Sequence, residues 1–236
     1  MSRVLPVIGP GTWTTAKPSE RQFTGRMWEI REAALTLFSE RGYYGTGMED
    51  IARVVGIRAS SLYNHVPSKQ ILLADIMLNT MRELIRAFDE SIKQAQDSAD
   101  PAAELRLAME AHVRYHATHR RDVRVGNREI ASLEEPYQGE VRQQRRTYAR
   151  RWQAMIERGI NTGAFSTPSA QLSTYALLEM GIGVSQWFHE GGPLTLDEIA
   201  DHYAAMALRQ LDAGVDSTHR AARAGRKSAR KKGASG

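Results

Sequence analysis

From Arg26 onward the apolar residues recur with a helical period, and no stretch alternates as a strand would. Met27, Ile30, Ala34, Leu37 and Phe38 stand at i, i+3, i+7, i+10 and i+11, one face of a helix. Gly42 follows as its stop, since glycine reaches the left-handed conformation at no steric cost. Met48, Ile51, Ala52 and Val55 predict a helix of two turns, ended by Gly56, and a third short helix is expected from Ala59 to His65. Ser68 is placed as the N-cap of a long helix carrying Leu73, Met77, Met81, Leu84 and Phe88. Asp100 and Pro101, a capping acid before a proline, open the next, which carries Leu105, Met109, His112, Val113 and His116. Another is expected over residues 122–131. Glu135-Pro136 starts a long helix through Val141, Tyr148, Trp152, Met155 and Ile156, stopped by Gly163. Thr167-Pro168 starts one through Leu172, Tyr175, Leu178, Ile182 and Trp187. Thr195 with Glu198 forms a capping box for the last, through Ile199, Tyr203 and Met206. The reading is all-α, with about nine helices.

Both ends differ from this body. Residues 1–22 are rich in Gly, Pro, Thr and Ser without periodicity and read as a flexible arm. Residues 217–236 hold Arg220, Arg223, Arg226, Lys227, Arg230, Lys231 and Lys232 with no acid, a low-complexity basic tail expected to be disordered. The net charge of +5 therefore conceals a mildly acidic body with basic ends. Such ends suit a polyanion; a solvated tail that only aids solubility is the other reading. Between them, residues 23–68 and 69–216 are expected to form two domains. With no Cys, disulfide scaffolds, thiolate zinc sites and cysteine nucleophiles are excluded. No secretory leader and no apolar run of the roughly 20 residues that a membrane span needs can be read, so a soluble, cytoplasmic chain without a membrane partner is expected.

Two short helices turning at Gly56 are what a helix-turn-helix requires. Ile51, Ala52, Val55, Ile57 and Leu62 would fix the crossing. Arg58, Ala59, Ser60, Ser61, Asn64 and His65 would face outward, short or polar enough for close approach to base edges in the major groove. The residues go further than the spacing. Phe38, Gly42, Thr46, Ile51-Ala52, Gly56-Ile57, Leu62-Tyr63, His65 and Ser68-Lys69 fall without gaps, and the segment resembles the N-terminal domain of TetR-family regulators. That resemblance implies a homodimer on double-stranded operator DNA. It also implies that Tyr63 and Lys69 contact phosphates, with Thr46 as a further candidate at the start of the second helix. Two positions depart from the pattern. Val66 stands where Phe is commoner, and Arg58 replaces the usual Ser or Thr cap of the recognition helix, losing about 1 kcal/mol. Arg58 either reads guanine bidentately or serves as a phosphate contact or surface charge.

Behind this segment, His112, His116, His119-Arg120, Arg128-Glu129, Leu133, Arg145, Gly159, Gly163, Phe165, Trp187 and Gly191-Gly192-Pro193-Leu194 resemble regulators of fatty-acid and steroid catabolism. The resemblance implies an acyl-CoA effector. An apolar tunnel for an acyl chain is readable in Met109, Tyr148, Trp152, Met155, Met180 and Trp187; plain core is the competing reading of the same stripe. Arg142, Arg145, Arg146, Arg150 and Arg151 are either a mouth for CoA phosphates or a solvated helix face. The candidate effector residues are thus Met109, His112, His116, Arg145, Tyr148, Trp152, Met180 and Trp187. His112, His116 and His119 also have metal-competent spacing, but no carboxylate sits at a helpful offset, so neither metal nor cofactor is expected. No nucleophile elbow, P-loop or dinucleotide glycine pattern supports an enzyme. A constitutive DNA-coating protein and a regulator of a non-CoA hydrophobic compound remain as alternatives to an acyl-CoA-released repressor. Dimerisation is expected through residues 168–190 and 195–213, with Gly181, Gly183 and Ser185 allowing close approach.

Overall fold

The computed structural model describes residues 25–95 and 100–213; the expected arm at 1–22 and basic tail at 217–236 lie outside them. Nine α-helices and no strand occur among the described residues: α1 Gly25–Arg41, α2 Met48–Val55, α3 Ala59–His65, α4 Lys69–Ala95, α5 Pro101–Thr118, α6 Arg120–Arg128, α7 Tyr137–Asn161, α8 Ala170–Trp187 and α9 Leu196–Gln210. A 3₁₀ turn, Ile130–Ser132, joins α6 to the segment before α7.

The stops fall where backbone chemistry puts them. At Gly56 φ is +74°, and the N–H of Ile57 returns to the Ala52 carbonyl at 3.0 Å, closing α2 in a left-handed turn. Asp100 caps α5 by accepting from Ala102 N at 2.9 Å, and Thr195 and Glu198 cap α9 reciprocally. Three boundaries differ from expectation. α2 begins at Met48, with Gly47 as N-cap and its N–H bound by Asp50 Oδ2 at 2.9 Å, so Thr46 does not open it. α6 starts at Arg120 and ends at Arg128, the remainder of the expected helix tightening into the 3₁₀ turn. α8 starts at Ala170, because Ser169 rather than Thr167 supplies the capping oxygen, accepting from Leu172 N at 3.2 Å.

Two cores result. One is built on α5, the central helix, whose Leu105, Met109 and Val113 are fully buried against Trp152 and Met155 of α7, Leu177 and Val184 of α8, and Ala204 and Ala207 of α9. Gly159 of α7 is required there, since a Cβ would lie 2.1 Å from the Phe165 ring. The other core begins with Ile30, Ala34, Leu37 and Phe38 of α1, Ile51 of α2 and Leu62 of α3. It does not end at residue 68, but takes in Leu72, Leu73, Ile76 and Met77 of α4, Val125 of α6, and Tyr137 and Val141 of α7.

Polar contacts tie the same elements. Arg31 of α1 is buried with Nε 3.2 Å from Asp75 of α4, Nη2 3.2 Å from Asp122 of α6 and Nη1 3.2 Å from Glu32. The Nε–H is not aligned for a hydrogen bond to Asp75, so that contact is an ion pair only. Burial works against the Arg31 charge, but the three carboxylates outweigh it and raise its pKa. Arg121 of α6 reaches Thr36 Oγ1 and Glu32 of α1 at 2.9 and 3.3 Å.

Candidate DNA-binding surface and effector cavity

α3 is short because Arg58 and Val66, both extended, bound its seven residues. It buries only Leu62 and presents Ser60, Tyr63, Asn64 and His65 to solvent, with Ala59 and Ser61 half-buried and Arg58 exposed at its N-cap. Arg58 makes no side-chain cap bond, which leaves its guanidinium unengaged by the helix it starts. The expected outward face is therefore brought together on one surface.

Two expected DNA contacts sit differently. Thr46 is 1% exposed and its hydroxyl donates to Gly42 O at 2.9 Å, so it faces the interior of the turn and not a phosphate. Lys69 is half-buried: Nζ donates to the carbonyls of Tyr43 and Thr46, each at 2.7 Å, and lies 4.1 Å from the Tyr43 ring centroid. Two of its three N–H groups thus brace the loop before α2. Burial lowers its pKa, with Glu129 opposing. The sequence reading missed Tyr44, 82% exposed beside α2. Two adjacent tyrosines gave no sign of which one would pack on Phe38 (Tyr43 does, at 5.5 Å) and which would face out.

A cavity of about 500 Å³ opens between α4, α5, α6, α7 and α8. Met77, Met81 and Leu84 of α4, Val123 of α6, and Leu178 and Ile182 of α8 give it apolar walls. Thr80, His112, His116 and Tyr148 are its buried polar lining, and the exposed Arg146, Arg150 and Glu179 with half-buried Arg145 lie at its rim. Arg145 Nη2 is held by Gly126 O at 2.7 Å and Asn127 Oδ1 at 3.3 Å, joining α7 to α6. Burial pulls its pKa down, with Glu179 pulling up.

Of the candidate effector residues, His112, His116, Arg145 and Tyr148 meet at this cavity. The other four do not line it. Met109 and Trp152 are fully buried in the core behind it, Met180 lies half-buried on another face of α8, and Trp187, 49% exposed, stands at the far end of that helix. In the arginine run, Arg151 is paired with Asp89 instead of lining the rim.

The His112 and His116 rings are in contact, tilted by 54° with centroids 4.2 Å apart. His112 Nδ1 is 2.9 Å from Tyr148 Oη and Nε2 is 3.1 Å from Leu178 O, while His116 Nδ1 is 2.8 Å from His112 O. Burial, and then the neighbouring His116, depress His112 well below the usual histidine range; burial takes His116 to about 4. Burial likewise pushes the Tyr148 phenol far up. His119 turns away to stack on Tyr115 at 4.2 Å, so the three histidines do not converge, and no cluster of three metal-ligating side chains occurs among the described residues.

Gly181 is needed for this arrangement and not for a dimer contact, since a Cβ there would lie 2.2 Å from His112 Cδ2. Ser185 also faces inward, whereas Gly183 meets nothing within 4 Å. Gly181→Ala is therefore expected to cost about 1–3 kcal/mol in urea unfolding by displacing His112, while Gly183→Ala is neutral or stabilising. Equal effects at the two sites would refute the packing role of Gly181.

A short two-helix reading head on an all-helical body with a lined cavity defines a helix-turn-helix regulator. The chain belongs to the TetR family, whose members are DNA-binding transcription factors: residues 30–76 match the model of bacterial regulatory proteins of the tetR family, and residues 98–211 match the tetracyclin repressor-like C-terminal domain. It is similar to the HTH-type transcriptional repressor KstR2 of Rhodococcus jostii (strain RHA1), 27% identical over 197 residues covering 80% of this chain and 92% of that protein. Among solved structures it is similar to the TetR-family regulator PfmR from Thermus thermophilus, with 31% identity, a TM-score of 0.69, and 77% and 98% of the two chains covered. It is also similar to AibR, solved in complex with isovaleryl coenzyme A and operator DNA, with 25% identity, a TM-score of 0.67, and 80% and 99% covered. No described helix is long and apolar enough to cross a membrane.

Proposed function

We propose that the protein is a homodimeric repressor released from its operator by a hydrophobic effector, an acyl-CoA thioester. The observation that carries this reading is that α6 serves both halves. Val123, Gly126 and Asn127 line the cavity, while Arg121 and Asp122 of the same helix are bonded to Glu32, Thr36 and Arg31 of α1. A ligand that displaces α6 therefore pulls on the reading head without touching it. Two recognition helices enter successive major grooves only about 34–36 Å apart, so a ligand favouring a mis-spaced pair by a few kcal/mol suffices for release. The apolar walls suit an acyl chain, and Arg145, Arg146 and Arg150 at the rim suit phosphates. AibR, which binds isovaleryl coenzyme A, lends this support by similarity. The exposed Trp187 of α8 and Met206 of α9 favour those helices as the dimer face.

Matched fatty acids and CoA thioesters titrated against a labelled operator complex test the reading. The thioester is expected to release DNA at lower concentration than the acid, and DNA to weaken thioester binding by the same factor. Release by an uncharged hydrophobe and by no thioester would remove the CoA part. On the DNA side, Tyr63→Ala is expected to weaken all sequences alike. Arg58→Ala is expected to relax preference at one base pair, by about 1–3 kcal/mol. An unchanged selected site in Arg58→Ala would end its base-reading role.

A further inference from the structure

The buried polar side chains of the cavity lining, Thr80, His112, His116 and Tyr148, have turned their protons away from it, whereas the donors Asn127, Arg145, Arg146, Arg150 and Gln153 are exposed or half-buried. Thr80 Oγ1 donates to Ile76 O at 2.8 Å. His112 Nε2 faces the Leu178 carbonyl, which can only accept, so Nε2 carries the proton of the neutral ring and Nδ1 must accept. The Tyr148 phenol therefore gives its single proton to His112 Nδ1. The same logic fixes His116. Its Nδ1 faces the His112 carbonyl and must donate, which leaves Nε2 a bare lone pair that no described protein group serves. His116 is 3% exposed, and it lines the cavity together with Thr80 and Tyr148. Burial keeps both imidazoles neutral, so no second proton reverses the pattern.

A buried lining that offers only acceptors is selective. A ligand hydroxyl or N–H finds a partner there. A ketone meets lone pairs opposed to its own and gives up its water without compensation. A wholly apolar end leaves His116 Nε2 desolvated and unpaired. We propose that the buried end of the effector carries a hydrogen-bond donor, a hydroxyl in the simplest case, and that His116 Nε2 with Thr80 and Tyr148 distinguishes the alcohol from the ketone of one skeleton. This rests on the cavity being the effector site and adds the polarity of the buried end.

The test measures affinity of the full chain, by calorimetry, for plain, (ω−1)-hydroxy and (ω−1)-oxo acyl-CoA thioesters from hexanoyl to dodecanoyl. Head-free 2-decanol and 2-decanone are run beside them. At the best-binding length the hydroxy member is expected to bind about tenfold tighter than the oxo member, one hydrogen bond gained against one lost. 2-Decanol is expected to exceed 2-decanone in the same sense. His116→Leu should reverse the order of hydroxy and plain chains, and Thr80→Val, which keeps the shape, should narrow the gap. Equal or ketone-favouring affinities in the wild-type protein overturn the donor rule while leaving the effector site standing. Binding of no probe, with or without CoA, overturns both.

Discussion

Arg31→Ala is expected to lower the unfolding free energy by about 3–5 kcal/mol, the cost of removing one member of a buried ion cluster. The arginine neutralises Asp75 of α4 and Asp122 of α6, and without it both carboxylates, one buried and one half-buried, lose that cation. Arg82 also lies within electrostatic range of Asp75 and softens that loss, but it has no such relation to Asp122. Arg31→Ala with Asp122→Asn is therefore expected to be milder than Arg31→Ala alone, because one stranded charge is gone. Urea denaturation of the variants measures this. A loss below about 1 kcal/mol would class the cluster with ordinary surface pairs and remove α1–α4–α6 clamping from the account of release.

Acidification is expected to destabilise the fold through the buried histidines. In the unfolded chain His116 has an ordinary value of 6.5; folded, it titrates near 4. As pH falls the unfolded state binds its proton first, so stability is full above about 6.5, declines between there and 4, and is level below. The difference amounts to about 3 kcal/mol at about 1.4 kcal/mol per unit. His112, also depressed, adds in the same direction. Urea midpoints across this range should fall more steeply for the wild-type protein than for His116→Asn, which keeps a donor near the His112 carbonyl. Parallel slopes would contradict a neutral, buried His116.

The reading head was legible because its signals are local. Gly42 and Gly56 mark turns within a few residues of the apolar positions they follow, and α3 is set by neighbours in sequence. Thr46 misled because a threonine near a helix start resembles a cap, whereas Asp50 reaching back to Gly47 N–H decides where α2 begins. The cavity was half legible. Tyr148 and Trp152 share a helical stripe, yet one lines the space and the other is sealed behind it, a difference fixed by the rotation of α7 against α4 and α5. Met109 and His112 divide in the same way along α5. Gly181 suggested an intermolecular contact, since nothing in its own helix announces that an imidazole from α5 fills the space. The Arg31 cluster spans as many as 91 positions and has no periodic trace at all.

The core shared by α1–α3 with Leu72, Ile76, Val125 and Val141 bears on modularity. A reading head cut at residue 68 would lose Leu72, Ile76, Val125 and Val141 from the core that holds Ile30, Phe38 and Leu62, and with them the faces of α4 and α6 on which α1 packs. Exchanging heads between relatives to redirect such a regulator thus requires transplanting the docking faces of α4, α6 and α7 as well. If the cavity takes the effector as proposed, operator choice and effector response are expected to stay coupled in this chain, because Met77 and Val141 belong to the core that seats the reader and also line the cavity.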